Sequence, residues 1–332
     1  MGSRGPVSAP WSAERRSSRR SRRRRREIVL GYVFLAPALL LLLAFEIFPI
    51  FYGLYISLCD WRLRCVSFIG LGNYARALGD PEMWHSLLIT ATYSLLAVPL
   101  QLSLGLFFAY LLFQKIAGQQ VLRVLFFLPY ITSTVATAAV WSYLYSPDKG
   151  PINALLARLG IGPLRWLAEP TGVFLLVARA LGFDLPSWLA GPSLALIALL
   201  VYTTWVFVGY DITIFLAGLG NIPNELYQAA RVDGAAGWTL FRHITLPLLS
   251  PTTYFLLILT VIGTFKAFNH IYVMTQGGPG DATTTASIFI FKQLFQFNRY
   301  GYSAALSFIL FFAILLLTIL QNRLAERRVV YD

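Results

Sequence analysis

Long apolar runs separated by polar segments dominate the pattern of this chain. Six runs, at residues 28–58, 86–113, 121–145, 193–219, 252–273 and 302–320, reach the length needed to cross a bilayer. A helix needs about 20 residues to span a hydrocarbon core of about 30 Å. Because backbone groups in lipid must be bonded internally, each run predicts a transmembrane helix. The pattern therefore predicts an all-α polytopic membrane protein whose membrane domain covers residues 28–321.

The polar segment 146–193 is rich in Pro, Gly and Trp and holds an internal echo. Trp166-Leu-Ala-Glu-Pro170 recurs as Trp188-Leu-Ala-Gly-Pro192, 22 residues later. The echo predicts a local duplication that enlarges an external loop. Between the copies, residues 173–180 are apolar but too short to span, so they predict a helix that lies on the surface or is buried.

The polar segment 220–250 carries signals of a helix, a break and a second helix. Pro223 suits a first helical turn, and Glu225 lies where the helix dipole favours a carboxylate. Asp233-Gly234 predicts the end of the first helix. The second helix carries Trp238 and Phe241. Such an amphipathic pair either folds back onto the chain's own helices or docks another protein.

Composition and charge agree with a membrane protein. The sequence of 332 residues is 57% hydrophobic and only 13% charged, unlike a soluble domain. Ten arginines and one glutamate in residues 1–26 carry +9 of the net charge of +12. A basic tail beside a span is typical of a retained cytoplasmic anchor touching anionic lipid, not of a nucleic-acid surface. Residues 1–27 are thus predicted to be a disordered cytoplasmic tail.

The tail also sets the predicted orientation. With six spans, both termini, including the C-terminal tail 322–332, lie on the cytoplasmic side of a bacterial inner membrane. Segment 220–250 then faces the cytoplasm. Cys59 and Cys65 share an external loop, where they either pair in an oxidising compartment or remain free thiols.

Nothing in the sequence assembles an enzyme. Gly277-Gly278-Pro279-Gly280 lacks the Lys of a phosphate-binding loop and is interpreted as a turn. The three histidines are scattered, and two cysteines alone do not form a zinc site. We expect no catalytic residue, no metal site and no cofactor bound by this chain.

Polar side chains in the fourth and fifth runs mark a candidate translocation path. Aromatic rings with hydroxyl and amide groups suit a neutral polyol such as a sugar. Alternatively, Thr and Tyr satisfy backbone groups and neighbouring helices. Lys266 either snorkels outward or pairs with Asp211. The candidates are Thr203, Phe207, Tyr210, Asp211, Thr260, Thr264, Lys266 and Asn269.

Segment 220–250 resembles the E-A-A loop of ABC importer permeases. The resemblance rests on Ala229-Ala230, on Gly234 four residues later, and on Ile244-Thr-Leu246-Pro247 after a further nine residues. Gln228 stands where the family usually has Glu, so this chain lacks the carboxylate for an ion pair at that point, although Gln still forms hydrogen bonds. In this family the loop sits in a cleft of an ATPase subunit. The implied coupling residues are Glu225, Gln228, Ala229, Ala230, Asp233, Gly234, Trp238, Phe241, Ile244 and Pro247.

Other stretches resemble the carbohydrate-uptake, maltose-type branch of that family. They are residues 263–279, with Asn269 where the branch usually has Asp, together with 283–285, 301–305 and 68–74. The resemblance implies a type I importer permease with six transmembrane helices and a cytoplasmic helix-turn-helix coupling loop. In maltose-type relatives, the positions that line the sugar site match Thr203, Val206, Phe207, Tyr210, Thr260 and Thr264.

The resemblance also implies partners. They are a second, non-identical permease subunit, a pair of cytoplasmic ATPase subunits that use ATP and Mg, and an extracytoplasmic solute-binding protein that delivers the sugar. In relatives, the loop matching residues 274–300 enters the cleft of the binding protein. Two alternatives remain open: an ion-coupled secondary sugar transporter, and an ABC permease for glycerol phosphate or another polar solute. The former needs coupling carboxylates within the spans, for which Glu46 and Asp211 are the candidates.

Overall fold

The computed structural model describes Gly2, residues 11–114 and residues 116–325. Helices dominate this part of the chain, as its apolar runs predict. The α-helices are α1 (Trp11–Leu42), α2 (Phe48–Ser57), α3 (Gly72–Leu78), α4 (Pro81–Phe113), α5 (Gln119–Ile131), α6 (Thr134–Leu144), α7 (Pro151–Arg158), α8 (Val173–Ala180), α9 (Leu194–Gly220), α10 (Asn224–Val232), α11 (Trp238–Leu240), α12 (Leu246–Leu248), α13 (Ser250–Phe265), α14 (Asn269–Thr275), α15 (Ala286–Phe291) and α16 (Tyr300–Ala325).

Four helices of the described residues are long and apolar enough to cross a membrane. They are Glu27–Ser57, Pro81–Phe113, Leu194–Gly220 and Tyr300–Leu324. Two bent helix pairs also pass as spans, so the number is four, or up to six if each bent pair is one span. The fold is a polytopic helical membrane fold, while the count of six stays a prediction.

The third apolar run, 121–145, is not the single helix that its length predicts. It forms α5 and α6, which meet at 98°. Pro129 lacks the N–H that a continuous helix needs, and the backbone of Thr132 is extended, with ψ at 154°. The Thr132 hydroxyl donates to the Pro129 carbonyl at 2.7 Å, which satisfies a group at the end of α5.

The fifth run, 252–273, is also interrupted, although one span was predicted. Helix α13 ends at Phe265, whose carbonyl accepts a hydrogen bond from the Ser287 hydroxyl at 3.3 Å. Phe268 leaves the helical region, with φ −139° and ψ −62°, before α14 begins. The break places Lys266 just after the end of α13 and Asn269 at the start of α14.

The N-terminal helix extends further than predicted. Helix α1 begins at Trp11, although a disordered tail was expected over 1–27. Arginine is a good helix former, and extending a helix already formed costs little. The rest of the predicted tail, residues 1 and 3–10, lies outside the described residues. So do residues 326–332 of the predicted C-terminal tail, because α16 ends at Ala325.

A short β-hairpin follows the first span and shows that the two cysteines pair rather than remain free thiols. Strands β1 (Cys59–Trp61) and β2 (Cys65–Phe68) pair antiparallel, and a disulfide joins Cys59 to Cys65. The Asn73 amide donates to the carbonyls of Ser57 and Cys59 at 2.8 and 3.0 Å. The hairpin is therefore fastened to the end of α2.

The structure shows a repeat in segment 146–193, as the echo predicts, while the external position of the segment stays a prediction. Helices α7 and α8 have the same length and are displaced by 22 residues. Each ends in a leucine followed by a left-handed glycine, Gly160 with φ 76° and Gly182 with φ 79°. The same cap bond closes both, from Ile161 N–H to the Leu156 carbonyl and from Phe183 N–H to the Ala178 carbonyl.

The two copies differ in their attachment to the body. The Trp166 indole donates to Asn153 Oδ1 at 3.0 Å, and its ring lies 5.3 Å from that of Tyr145. The equivalent Trp188 is 79% exposed. At the base of the second copy, Gly172 and Ser193 form an antiparallel bridge. The two ends of the second copy therefore lie next to each other, so the copy forms a closed loop between Gly172 and Ser193.

We predict that deleting residues 171–192 leaves the fold intact. The deletion joins Pro170 to Ser193, whose hydroxyl still caps α9 by accepting from Leu196 N–H at 3.1 Å. The thermal midpoint of the detergent-solubilised protein should change by less than about 4 °C, a stability change under roughly 1 kcal/mol.

The matched control deletes residues 149–170, the first copy. The second copy cannot replace it, because Leu175 stands where the first copy has Asn153 to bond the tryptophan. This control should aggregate on gel filtration. If both deletion variants had the same thermal midpoint and the same gel-filtration profile, the conclusion that the first copy attaches the segment to the body would be contradicted.

Helix α9 lies at the centre of the bundle and packs against α4, α5 and α13. Glycines permit its closest approaches. A Cβ on Gly209 would lie 1.9 Å from the Phe126 carbonyl oxygen of α5, and one on Gly105 of α4 would lie 2.8 Å from Asp211 Cβ. Small residues of this kind let membrane helices approach closely. They bring the polar stripe of α9 close to its neighbours.

Candidate functional site

A cavity of about 450 Å³ lies between α4, α5, α9, α13 and the turn before α14. Eight of the nine residues predicted for the path line it, namely Thr203, Phe207, Tyr210, Asp211, Thr260, Thr264, Lys266 and Asn269. Thr203, Phe207 and Asp211 are spaced by four residues and therefore share one face of α9. Val206 lies off that face. It is fully buried in the core with Leu199 and Tyr202, and the structure does not bring it to the cavity.

One end of the cavity is closed by a buried polar network. The Tyr93 hydroxyl lies 2.6 Å from Thr203 Oγ1 and 3.1 Å from His270 Nε2, and Thr203 Oγ1 is also 3.1 Å from His270 Nε2. These three side chains are at most 5% exposed. Each polar group in the network has a partner, so this end forms a fixed wall.

Sequence reasoning missed Tyr93, Gln101 and Tyr130 as cavity residues. Tyr93 and Gln101 lie eight residues apart on α4 and so face the same side. A tyrosine and an amide on one face of an apolar helix were a usable signal. Tyr130 had no comparable signal, because its position depends on how α5 packs against α9.

Aromatic rings form one side of the cavity. Tyr130 stacks on Tyr210 with ring centroids 4.9 Å apart, and Phe207 meets Tyr130 edge-on at 6.0 Å. Opposite them, the Thr264 hydroxyl contacts Ser94 Oγ at 2.8 Å and donates to the Val261 carbonyl. Thr264 is thus already bonded within the protein. The cavity combines ring faces with hydroxyl groups, which complements the C–H faces and hydroxyls of a polyol.

The two charged residues of the cavity do not meet. Asp211 is 2% exposed, and its Oδ2 atom has no hydrogen-bond partner among the described residues. Lys266 is exposed, and the structure records no ion pair between it and Asp211. The pairing considered from the sequence is therefore wrong, whereas the alternative in which Lys266 points outward agrees with its exposure.

Helices α10 to α12 form a second candidate surface, and the predicted coupling residues divide into two sets there. Exposed residues are Glu225, Gln228, Ala229, Asp233, Gly234 and Trp238, and half-buried residues are Ala230, Phe241, Ile244 and Pro247. Tyr227 bonds Thr245 at 3.0 Å, which joins the two helical parts.

The inner side of this surface packs on the chain itself. Phe241 meets Tyr110 of α4 edge-on at 4.9 Å. Trp238 stacks on Phe241 at 5.2 Å but is 69% exposed. The interpretation in which the segment folds back onto the chain therefore holds for its inner side, while docking of another protein on the exposed side stays a prediction.

Residues 274–300 contain the glycine-rich turn and helix α15. Gly277 lies in a turn with φ 90°. Its carbonyl accepts a hydrogen bond from the Thr284 hydroxyl at 2.9 Å. The same hydroxyl donates to Asp281 Oδ1 at 2.8 Å, and Lys292 Nζ lies 3.1 Å from that oxygen. The Thr284 hydrogen bond, with the Lys292 ammonium, holds the pKa of the Asp281 carboxyl below its usual range.

The chain is similar to a family of membrane transport proteins and to several sugar permeases. Residues 101–330 match the family model described as binding-protein-dependent transport system inner membrane component. The trehalose/maltose transport system permease protein MalF of Thermococcus litoralis is 34% identical over 91% of this chain and 96% of its own length. The lactose transport system permease protein LacF of Rhizobium radiobacter is 32% identical over 90% and 94%. The arabinooligosaccharides transport system permease protein AraP of Bacillus subtilis is 31% identical over 89% and 88%.

Two solved structures share the fold. One is a bacterial ABC transporter involved in the import of the acidic polysaccharide alginate, with a TM-score of 0.77 and 21% identity over 93% of this chain and 99% of that chain. The other is a bacterial alginate ABC transporter in complex with an alginate pentasaccharide-bound periplasmic protein, with a TM-score of 0.75 and 20% identity over 91% and 96%. The likeness confirms the predicted importer-permease fold.

Proposed function

This chain belongs to the family of binding-protein-dependent transport system inner membrane components, and from that premise we propose that it forms half of the pathway of an ATP-driven importer for a sugar or oligosaccharide. The observation that carries the proposal is the cavity beside α9, where Tyr130, Phe207 and Tyr210 face hydroxyl-bearing side chains. Rings and hydroxyls together suit an uncharged polyol. The names of three relatives specify trehalose and maltose, lactose, and arabinooligosaccharides, so the proposal concerns the class of solute.

A second permease subunit completes the pathway in this proposal. Lys266 and Asn269 line the cavity yet are exposed, so its wall is open on that side. The first span, Glu27–Ser57, has no buried residue in its apolar window. Both features support a second subunit against the open face, with lipid against the remainder.

The energy source in this proposal is an ATPase pair on the cytoplasmic side. The exposed side of α10 to α12, which includes Gly234 and Trp238, is the docking surface, and ATP and Mg are bound by the ATPase subunits. The arginine-rich tail favours a cytoplasmic N-terminus, while the Cys59–Cys65 disulfide suits an oxidising exterior at the other end of the first span. Closure of the ATPase dimer moves the docked helices as a rigid body and switches the access of the cavity.

The test is uptake into proteoliposomes that hold this chain with its second permease, the ATPase pair and the solute-binding protein. The probes are maltose, trehalose and lactose, each radiolabelled. We expect uptake of at least one sugar with ATP on the ATPase side and none with a proton or sodium gradient alone. Uptake driven by a gradient without ATP would contradict the proposal.

A further inference from the structure

Asp211 is a buried carboxyl group at the cavity that the protein leaves partly unsatisfied. Its Oδ2 atom is buried and has no hydrogen-bond partner among the described residues, and no ion pair is recorded for it. At the other end of the cavity, by contrast, Tyr93, Thr203 and His270 satisfy one another. Leaving a buried acceptor unpaired is costly, so a persistent one points to a ligand that bonds it.

The position of Asp211 fits contact with a solute. It follows Thr203 by eight residues on the same face of α9, which places it roughly 12 Å further along the helix axis. The aromatic ring of Phe207 lies between these two positions on that face. Gly105 of α4 allows the backbone of α9 to come close at this level, because any Cβ there would meet Asp211 Cβ at 2.8 Å. The side chain is therefore held at the cavity wall by packing and not by a polar partner.

We propose that Asp211 is a specificity-determining residue whose carboxyl group accepts a hydrogen bond from a hydroxyl of an uncharged saccharide at the inner end of the cavity. This inference rests on the proposed function. The oxygen atoms of a carboxyl group accept hydrogen bonds, so Asp211 favours solutes that bring O–H donors to that point.

The test compares Asp211→Leu, Asp211→Asn and Thr213→Val in the reconstituted complex. The probe is whichever of maltose, trehalose and lactose the wild-type complex carries. Sugar transported per ATP hydrolysed should fall at least tenfold in Asp211→Leu and less than threefold in Asp211→Asn, which keeps an acceptor oxygen. Thr213 is exposed and does not line the cavity, and its hydroxyl donates to the Gly209 carbonyl of its own helix at 2.9 Å. Thr213→Val should therefore match the wild type.

Deoxygenated sugars identify the contact itself. Wild type should discriminate against one monodeoxy derivative of the probe, and Asp211→Leu should lose that discrimination while keeping the others. An unchanged transport ratio in Asp211→Leu would overturn the inference. So would an equal loss of assembly and ATPase activity in both Asp211 variants, because that result indicates a purely structural role. Failure of the wild type to carry any sugar would instead contradict the proposed function.

Discussion

Gly234→Asp is expected to abolish co-purification of the ATPase while leaving membrane insertion unchanged. Gly234 is exposed between α10 and α11, and a Cβ there would meet nothing within 4 Å. The protein alone therefore tolerates the added side chain. Its φ of +85° costs a non-glycine residue roughly 1–2 kcal/mol, and less for Asp. Inside a docked interface, however, an unpaired carboxylate costs several kcal/mol, enough for at least about a hundredfold loss of affinity.

The control for this prediction is Gly160→Asp in the duplicated segment. Gly160 has φ +76° and also has nothing within 4 Å of a built Cβ, so it shares the strain and the open surroundings. It lies beyond the opposite end of α9 from Gly234. We expect full ATPase co-purification with this variant. Retention of the ATPase by Gly234→Asp, or its loss from both variants, would contradict the assignment of the docking surface.

Gly209→Ala is expected to cause the largest loss of stability of any single methyl addition in the bundle. The new Cβ would lie 1.9 Å from the Phe126 carbonyl oxygen and 2.6 Å from its carbon, both backbone atoms that no side-chain rotation can move. Helices α9 and α5 must separate, with a cost of about 1–3 kcal/mol or more. The separation also disturbs the stack of Tyr130 on Tyr210, so uptake should fall in the fraction that still folds.

The measurement is the thermal midpoint and the monodisperse fraction of the solubilised protein. Gly53→Ala is the matched control, since Gly53 lies within helix α2 and its Cβ would meet only Phe308 at an ordinary 3.9 Å. An alanine there should be neutral or stabilise by up to about 1 kcal/mol, as helix propensity predicts. Equal midpoints for the two variants would show that the close approach of α5 to α9 is absent.

The candidate site was predictable where it follows one helix. Thr203, Phe207, Tyr210 and Asp211 share a stripe on α9, and the helical period alone places them together. Val206 entered the prediction through resemblance to relatives, and the structure buries it in the core. Periodicity was the better guide at that position because it depends only on local geometry.

The partners of that stripe were not predictable in the same way. Tyr93 and His270 reach Thr203 from positions 110 and 67 residues away along the chain. Tyr130 lies on α5 and reaches the cavity because α5 packs against α9. Beyond it the run bends, with α5 and α6 meeting at 98°. Hydropathy registers an apolar run of sufficient length and carries no information about such a bend.

The sequence by itself determined that the chain is a helical membrane protein and where its duplicated segment and predicted coupling segment lie. These features are local. A lipid environment requires long apolar helices, and a motif or a repeat is recognised by the spacing of residues along the sequence. Only the tertiary structure decided where the third and fifth runs break, which hydroxyls bond one another, and that Asp211 Oδ2 has no hydrogen-bond partner among the described residues. Each of those outcomes depends on which groups from distant parts of the chain come within bonding distance, and spacing along the sequence does not encode that distance.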